Sequence, residues 1–349
     1  MTGAYCEIAD TGWLKPASLP PIRYSPLATR FAMLGAYPIE RTGQTSLANA
    51  TWIDLVDPTD AETAAFERAF GLRVPTRAAL AEIEATSRLQ IEKDTLYLTA
   101  PLIFASPSEP WIPAPTGFVL SKRVLMTMRF AKSAAFDAVI NELSTRERLE
   151  PTQAFVRLLE ELVDRMADLL EGSSRDLDDA SHVVFRPDNT TRSRLSRETA
   201  LLRQLMIRTG RTSERMARIH YTLVCLDRMA KFTVERAREW LGAETIARLQ
   251  AVSSDIASLV QFAETLVSRV QLLQDAATGI INIDQNDVMK VLTVASVVGI
   301  PPVLVVGIYG MNFKDMPELN WAWGYPYALA MVVVTALLPL VWFKWKDWI

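Results

Sequence analysis

Two long stretches without a charged side chain close this chain, Val291 to Tyr309 and Tyr325 to Phe343. At ~1.5 Å per residue each helix extends roughly 28 Å, close to the ~30 Å hydrocarbon thickness of a bilayer. A helix satisfies its backbone polar groups internally, so two such runs joined by a short polar loop fold as a membrane hairpin. Buried helices of a soluble core have similar composition. Here, however, aromatic residues mark the ends of the second run: Trp321, Trp323, Tyr325 and Tyr327 before or at its start, and Trp342, Trp345 and Trp348 at its end. Such belts belong at a membrane–water interface. Lys290 precedes the first run and Lys344 and Lys346 follow the second, while Lys314 in the loop is offset by Asp315 and Glu318. The positive-inside rule then places both termini in the cytoplasm and the loop outside, in a multi-pass inner-membrane protein.

The chain of 349 residues is long enough for further domains before these runs. Residues 1–40, with the Pro-rich stretch Pro16 to Pro26, are expected to be irregular. Residues 41–150 read as an α/β domain. Thr51 to Val56 forms a strand, and Thr59 with Glu62 makes a capping box for a helix to about Phe70. Two hairpins follow, Arg88 to Phe104 turning near Lys93-Asp94 and Thr116 to Phe130 turning near Ser121-Lys122. Residues 151–242 are helical by three- and four-residue apolar spacing. The acidic run Asp176, Asp178 and Asp179 falls near a turn between helices. A stalk helix over 243–290 continues into the first span, 291–309. Its apolar positions Leu249, Val252, Ile256, Leu259, Val260, Leu266, Val270 and Leu273 call for packing partners in other subunits or within the chain. The loop occupies 310–324, the second span 325–343 and a basic tail 344–349.

Several chemistries are disfavoured. A net charge of −3 provides no basic field for nucleic acid. The cysteines, Cys6 and Cys225, and the histidines, His182 and His220, offer neither a disulfide framework nor a zinc cage. No nucleophile–base constellation points to an enzyme, and no GxxxxGK[ST] loop points to nucleotide-driven transport. No basic segment followed by an apolar run marks a cleaved signal.

The segment Tyr309-Gly310-Met311-Asn312-Phe313, followed by Met316-Pro317-Glu318-Leu319, resembles the signature of CorA-type magnesium transporters. The likeness continues through Trp321, Gly324-Tyr325-Pro326 and Phe343-Lys344-Trp345-Lys346. It extends upstream, more loosely, to Trp52-Ile53-Asp54-Leu55, Asp57-Pro58-Thr59 and Glu82-Ile83-Glu84. The resemblance implies a homopentameric, funnel-shaped channel with ten membrane helices, the first span of each subunit lining the pore. It implies Mg²⁺ as the main cargo, with Co²⁺ and Ni²⁺ accepted, and no organic cofactor. The zinc-handling ZntB relatives usually carry Ile where this chain has Met311.

The residues suit that reading. Mg²⁺ dehydrates reluctantly, so an entrance can hold it through its waters. A ring of Asn312 amide oxygens accepts hydrogen bonds from those waters without adding charge, which suits the weak binding that conduction needs. Gly310 can take the positive φ that ends a helix. Asn286, Met289, Thr293, Ser296, Ile300, Val303 and Gly307 share one helical face, which Gly310 and Met311 continue. Such residues also serve ordinary helix packing. Comparison with the family adds Leu292, with Asn286 and Met289, as an inner constriction that closes by dewetting. It also marks a departure, because relatives often carry a hydroxyl residue shortly after the mid-span proline and this chain has Val303. Pro301 and Pro302 bend the span, either as a plain kink or to shape a conduit. Glu318 and Asp315 either concentrate cations at the mouth or are solvated loop charges. The family closes when cytoplasmic Mg²⁺ bridges acidic sites between subunits, for which Asp255, Asp94 and Glu92 are the candidates here. The alternatives are a ZntB-like divalent carrier, with or without proton coupling, and a membrane-tethered sensor or enzyme.

Overall fold

The computed structural model describes residues 33–37, 50–82, 84–104, 113–143, 150–185, 195–312, 316–346 and 348. A six-stranded sheet organises the N-terminal part, with strands β1 (Met33–Tyr37), β2 (Trp52–Val56), β3 (Leu89–Glu92), β4 (Thr95–Ile103), β5 (Pro113–Leu120) and β6 (Leu125–Arg129). Their order is β1-β2-β6-β5-β4-β3; β2 and β6 run parallel and every other pair is antiparallel.

Local chemistry sets the turns. Lys93 and Asp94 have φ of 45° and 64°, the left-handed pair that closes a two-residue hairpin, and Glu92 therefore faces Thr95. At the β5–β6 turn Ser121 Oγ accepts from Val124 N at 3.1 Å and donates to Val124 O at 3.0 Å, fixing Leu120 opposite Leu125. Helix α1 (Asp60–Phe70) starts on the expected capping box: Glu62 Oε2 accepts from Thr59 N at 2.8 Å, and Thr59 Oγ1 accepts from Glu62 N. Gly71 ends it at φ 67°.

Strand β1 lies inside the stretch expected to be irregular. It is an edge strand that pairs its backbone with β2, Met33 opposite Val56. That pairing is non-local, and a five-residue strand carries little pattern of its own.

Alternating side chains feed two cores. On one sheet face Ile53, Leu55, Tyr97, Val119, Met126 and Met128 meet Phe66 of α1 and Leu80 of the short helix α2 (Arg77–Leu80). On the other, Trp52, Leu96, Leu98, Phe118, Leu120 and Leu125 meet Phe136 and Val139 of α4 (Ala134–Leu143) and Phe155 of α5 (Pro151–Phe185). A second short helix, α3 (Ala85–Arg88), leads into β3.

The one parallel junction holds a buried ion pair. Arg129 reaches Asp54 Oδ2 through Nη2 at 2.9 Å and Nε at 3.1 Å; Thr127 Oγ1 donates to Asp54 Oδ1 at 2.7 Å and accepts from Trp52 Nε1 at 3.1 Å. All four residues are buried. Arg129 also donates to Ala131 O at 2.8 Å and stacks over Phe136. The Trp52–Asp54 landmark is thus a satisfied polar network that holds β2 to β6.

Three long helices follow: α5, α6 (Leu195–Ala237) and α7 (Ala243–Tyr309). The 67 residues of α7 make a rod of about 100 Å. Glu160 of α5 receives Arg248 of α7 in a bidentate pair at 2.6 and 2.8 Å, and Asp178 receives Arg269 further along both helices, so α5 and α7 run parallel. Asp176 pairs with Arg208 and Arg215 of α6. The acidic run therefore sits within α5, clasping α6 and α7. Leu249, Val252, Ile256, Leu266, Val270 and Leu273 are buried in the same core as α5 and α6, with Leu259 and Val260 half-buried against it. That stripe finds its partners within the chain, so it is no sign of oligomerisation by itself.

Candidate functional site

The last part of α7 and helix α8 (Gly324–Trp345) are each long and apolar enough to cross a membrane. They pack against each other, and burial shows which faces meet. On α7 the covered positions are Val294, Val298, Pro301, Pro302, Val305 and Tyr309. On α8 they are Ala328, Met331, Val332, Thr335, Ala336, Pro339 and Phe343. Small and β-branched residues at three- and four-residue spacing let the helices approach closely. None of these contacts is marked in the sequence. A uniformly apolar run has no hydropathy period to mark the covered side.

The expected pore stripe lies on the other side of α7. Asn286, Met289, Leu292, Thr293, Ser296, Ile300, Val303 and Gly307 are all exposed. Val303 is 71% and Ile300 62% exposed, against 8% for Val305. At ~100° per residue the stripe is centred roughly opposite the face that meets α8. The face therefore contributes nothing to packing within the chain. The hydroxyls of Thr293 and Ser296 donate to Met289 O at 2.8 Å and Leu292 O at 2.9 Å.

At the outer end of α7, Gly310 N donates to Val306 O at 2.9 Å and Met311 N to Ile308 O at 3.2 Å. Gly310 departs from expectation, with φ −86° and ψ −1° in the right-handed region. A Cβ there would sit 3.2 Å from Val306 O and 3.6 Å from Gly307 O, carbonyls of the helix's own last turn, so a small side chain fits with a shift of a few tenths of an ångström. This tight last turn delivers Met311 and Asn312 exposed at the helix end. The Asn312 amide has no hydrogen-bond partner among the described residues. Glu318 belongs to the 3-10 turn Pro317–Asn320, while Phe313, Lys314 and Asp315 lie outside the described residues. Trp321 packs on Tyr327 at 5.9 Å, and Trp323, Tyr325, Trp342 and Trp345 are exposed at the two ends of α8.

No residue of the stripe is charged. Among the described residues the charges beside its inner end are Asp287 and Lys290, which pair with each other at 2.9 Å. The three candidate regulatory carboxylates are not brought together. Glu92 pairs with Arg73 at 3.3 Å, Asp94 pairs with Lys122 at 3.2 Å, and Asp255 is exposed on α7. Among the described residues no group of three or more His, Cys, Asp or Glu could hold a metal.

Comparison with known proteins agrees with this architecture. The family described as CorA-like Mg²⁺ transporter protein matches residues 48–345. A magnesium transport protein CorA from Sodalis glossinidius is 30% identical over 308 residues, covering 88% of this chain and 94% of the relative. The protein of that name from Salmonella typhimurium is 29% identical over 327 residues, 91% of this chain and all of the relative. Among solved structures, the complete CorA magnesium transporter of Methanocaldococcus jannaschii has the same fold, with a TM-score of 0.68 at 19% identity over 85% of this chain and 91% of that one. The full-length CmaX protein gives 0.63 at 16% identity over 85% and 88%. An α/β domain, a rod-like helix running out of it and two apolar C-terminal helices are thus a shared design, and the chain belongs to the CorA-like Mg²⁺ transporter family.

Proposed function

We propose that this protein is a homopentameric channel that carries Mg²⁺ into the cytoplasm, with α7 of each subunit lining the pore and the N-terminal domain on the cytoplasmic side. The observation that carries the reading is the pairing of an Asn312 amide, without a hydrogen-bond partner among the described residues, at the end of α7 with an exposed stripe turned away from α8. Five such amides around an axis form a collar of neutral acceptors for the waters of a hydrated divalent ion. The bare stripe then becomes the pore wall, and α8 stands behind it toward lipid. The names of the relatives support Mg²⁺ as cargo; Co²⁺ and Ni²⁺ fit the same collar, since it reads a hydrated dication.

The driving force is the membrane potential. A divalent ion gains about 4.6 kcal/mol per 100 mV, twice the ~2.3 kcal/mol of a single charge. In liposomes loaded with a Mg²⁺-sensitive dye, the wild-type protein supports uptake that follows an imposed potential, and Asn312→Ala abolishes uptake while leaving the oligomer intact. Full uptake by Asn312→Ala would refute the collar. Zn²⁺ uptake dependent on a pH gradient, without Mg²⁺ uptake, would indicate a carrier on the same scaffold.

A further inference from the structure

The face of α8 turned away from α7 carries a groove of about 490 Å³ lined by Val334, Leu337, Leu338, Val341, Trp342 and Trp345. None of the six belongs to the set that covers α7, and all are exposed, Trp345 at 81%. From Val334 to Trp345 the helix rises about 17 Å, close to the ~15 Å of one hydrocarbon leaflet. The groove therefore matches the length of a single acyl chain and presents no polar side chain before the indoles at its inner end.

That inner end is held in shape. Trp348 N donates to Phe343 O at 3.0 Å, and the Trp348 ring stacks on Phe343 at 5.6 Å. Phe343 is buried and meets Trp342 edge-on at 5.2 Å, so an aromatic row fixes one wall of the groove. Lys344 and Lys346 flank Trp345, each about 100° away around the helix. Both are exposed, and neither has an ion-pair partner among the described residues. With Asp347 they are the only charged residues after Glu318. An apolar groove one leaflet deep, closed by indoles and two lysines, complements an amphiphile with an anionic head.

On the reading that α8 stands toward lipid with its basic end in the cytoplasm, we propose that this groove binds one anionic phospholipid of the inner leaflet. An acyl chain lies along Val334 to Val341, the indoles of Trp342 and Trp345 sit at the level of the glycerol, and Lys344 and Lys346 hold the phosphate. Lysine stems lie on apolar surface while their ammonium groups reach the headgroup plane. A zwitterionic lipid fills the groove equally well, so the lysines alone supply the preference for an acidic head. A helix from a second copy would fill it too, but its Asp287 is already paired with Lys290 and leaves these lysines without an anion.

The test is tryptophan quenching in the full-length protein, reconstituted in phosphatidylcholine vesicles that carry either brominated phosphatidylglycerol or brominated phosphatidylcholine. The signal of the site is the quenching seen in wild type and lost in Trp342→Phe/Trp345→Phe, which keeps the groove apolar. That signal is expected to favour phosphatidylglycerol by roughly thirtyfold, ~1 kcal/mol for each lysine at 1.4 kcal/mol per tenfold. Lys344→Gln/Lys346→Gln removes the preference, and Lys344→Arg/Lys346→Arg retains it. Equal quenching by the two lipids, a preference that survives in the Gln variant, or selective quenching that persists in the Phe variant overturns the lipid site and leaves the channel reading standing. If neither lipid quenches Trp342 and Trp345, a neighbouring helix fills the groove, and the arrangement with α7 inside and α8 toward lipid fails with the site.

Discussion

Between Ala243 and Ala277 the apolar face of α7 is covered by α5 and α6, whereas between Asn286 and Asn312 the stripe opposite α8 is bare. One continuous helix thus has two regimes. In the first, the chain supplies its own partners: a buried stripe from Leu249 to Ala277 and arginine clasps at Arg248 and Arg269. In the second, a single neighbouring helix covers one side and leaves the rest to lipid, to other copies of the chain, or to water. Side chains in the first region set stability; on the proposed reading of α7 as a pore wall, side chains on the bare stripe of the second set what passes along it.

The sharpest break of that division comes from the sheet that anchors the first region. Asp54→Ala leaves Arg129 buried with its principal partner gone, a cost of about 3–5 kcal/mol. Thermal unfolding in detergent, followed by circular dichroism, is expected to show a large loss for the N-terminal domain. Asn312→Ala should leave the same transition unmoved. A comparable drop for both would erase the distinction.

Within α7 itself the comparison becomes finer. Leu266 is 1% exposed in the core shared with α5 and α6, so Leu266→Ala costs about 2–5 kcal/mol through lost burial and a residual cavity. Val303→Ala, on the bare stripe, is expected to change stability by no more than about 0.5 kcal/mol and to alter flux instead. Denaturation midpoints and liposome flux, measured on both variants, separate the roles. A Val303→Ala protein as destabilised as Leu266→Ala would mean that the stripe packs against something after all.

How far the fold could be read beforehand follows the same division. The capping box at Thr59, the turns at Lys93-Asp94 and Ser121, and the start of α7 at Ala243 are written in nearby residues, and they appear where the spacing puts them. Strand β1 was missed because its partner, β2, supplies the pairing from a distance. The packing of Leu249 to Leu273 on α5 and α6 was open in the sequence, since an amphipathic stripe states that a partner exists and not whose it is. Gly310 shows a different limit: a glycine at a helix end suggests a positive φ, yet the observed φ of −86° keeps it in the right-handed region open to any residue. At the site, helical spacing puts the expected stripe on one face, which is exposed along with flanking positions such as Leu304 and Val306, while the α8-facing set, Val294, Val298 and Val305, is hidden in an all-apolar run.

The smallest effect probes the charged outer surface of the packed region. Asp164 on α5 has its carboxyl raised above the usual range, first by partial desolvation and then by Glu161, Glu160 and Asp168, against the pull of Arg157. An acid whose folded value lies above its unfolded one binds its proton more tightly in the native state. Stability is therefore undiminished below the ordinary carboxylate range and declines as pH rises through the unfolded and then the folded value. Asp164→Asn removes that decline. Because the residue is exposed, solvent screens most of the effect. The variant is expected to melt slightly above wild type at pH 7, with the gap closing below the unfolded value, where both carry a neutral side chain. A gap that persists unchanged at low pH would assign the difference to packing, and one of opposite sign would mean that Arg157 outweighs the acidic neighbours. On the exposed stripe of the membrane segment no such titration exists to measure, since none of its residues is ionisable and Lys290 and Tyr309 lie off it.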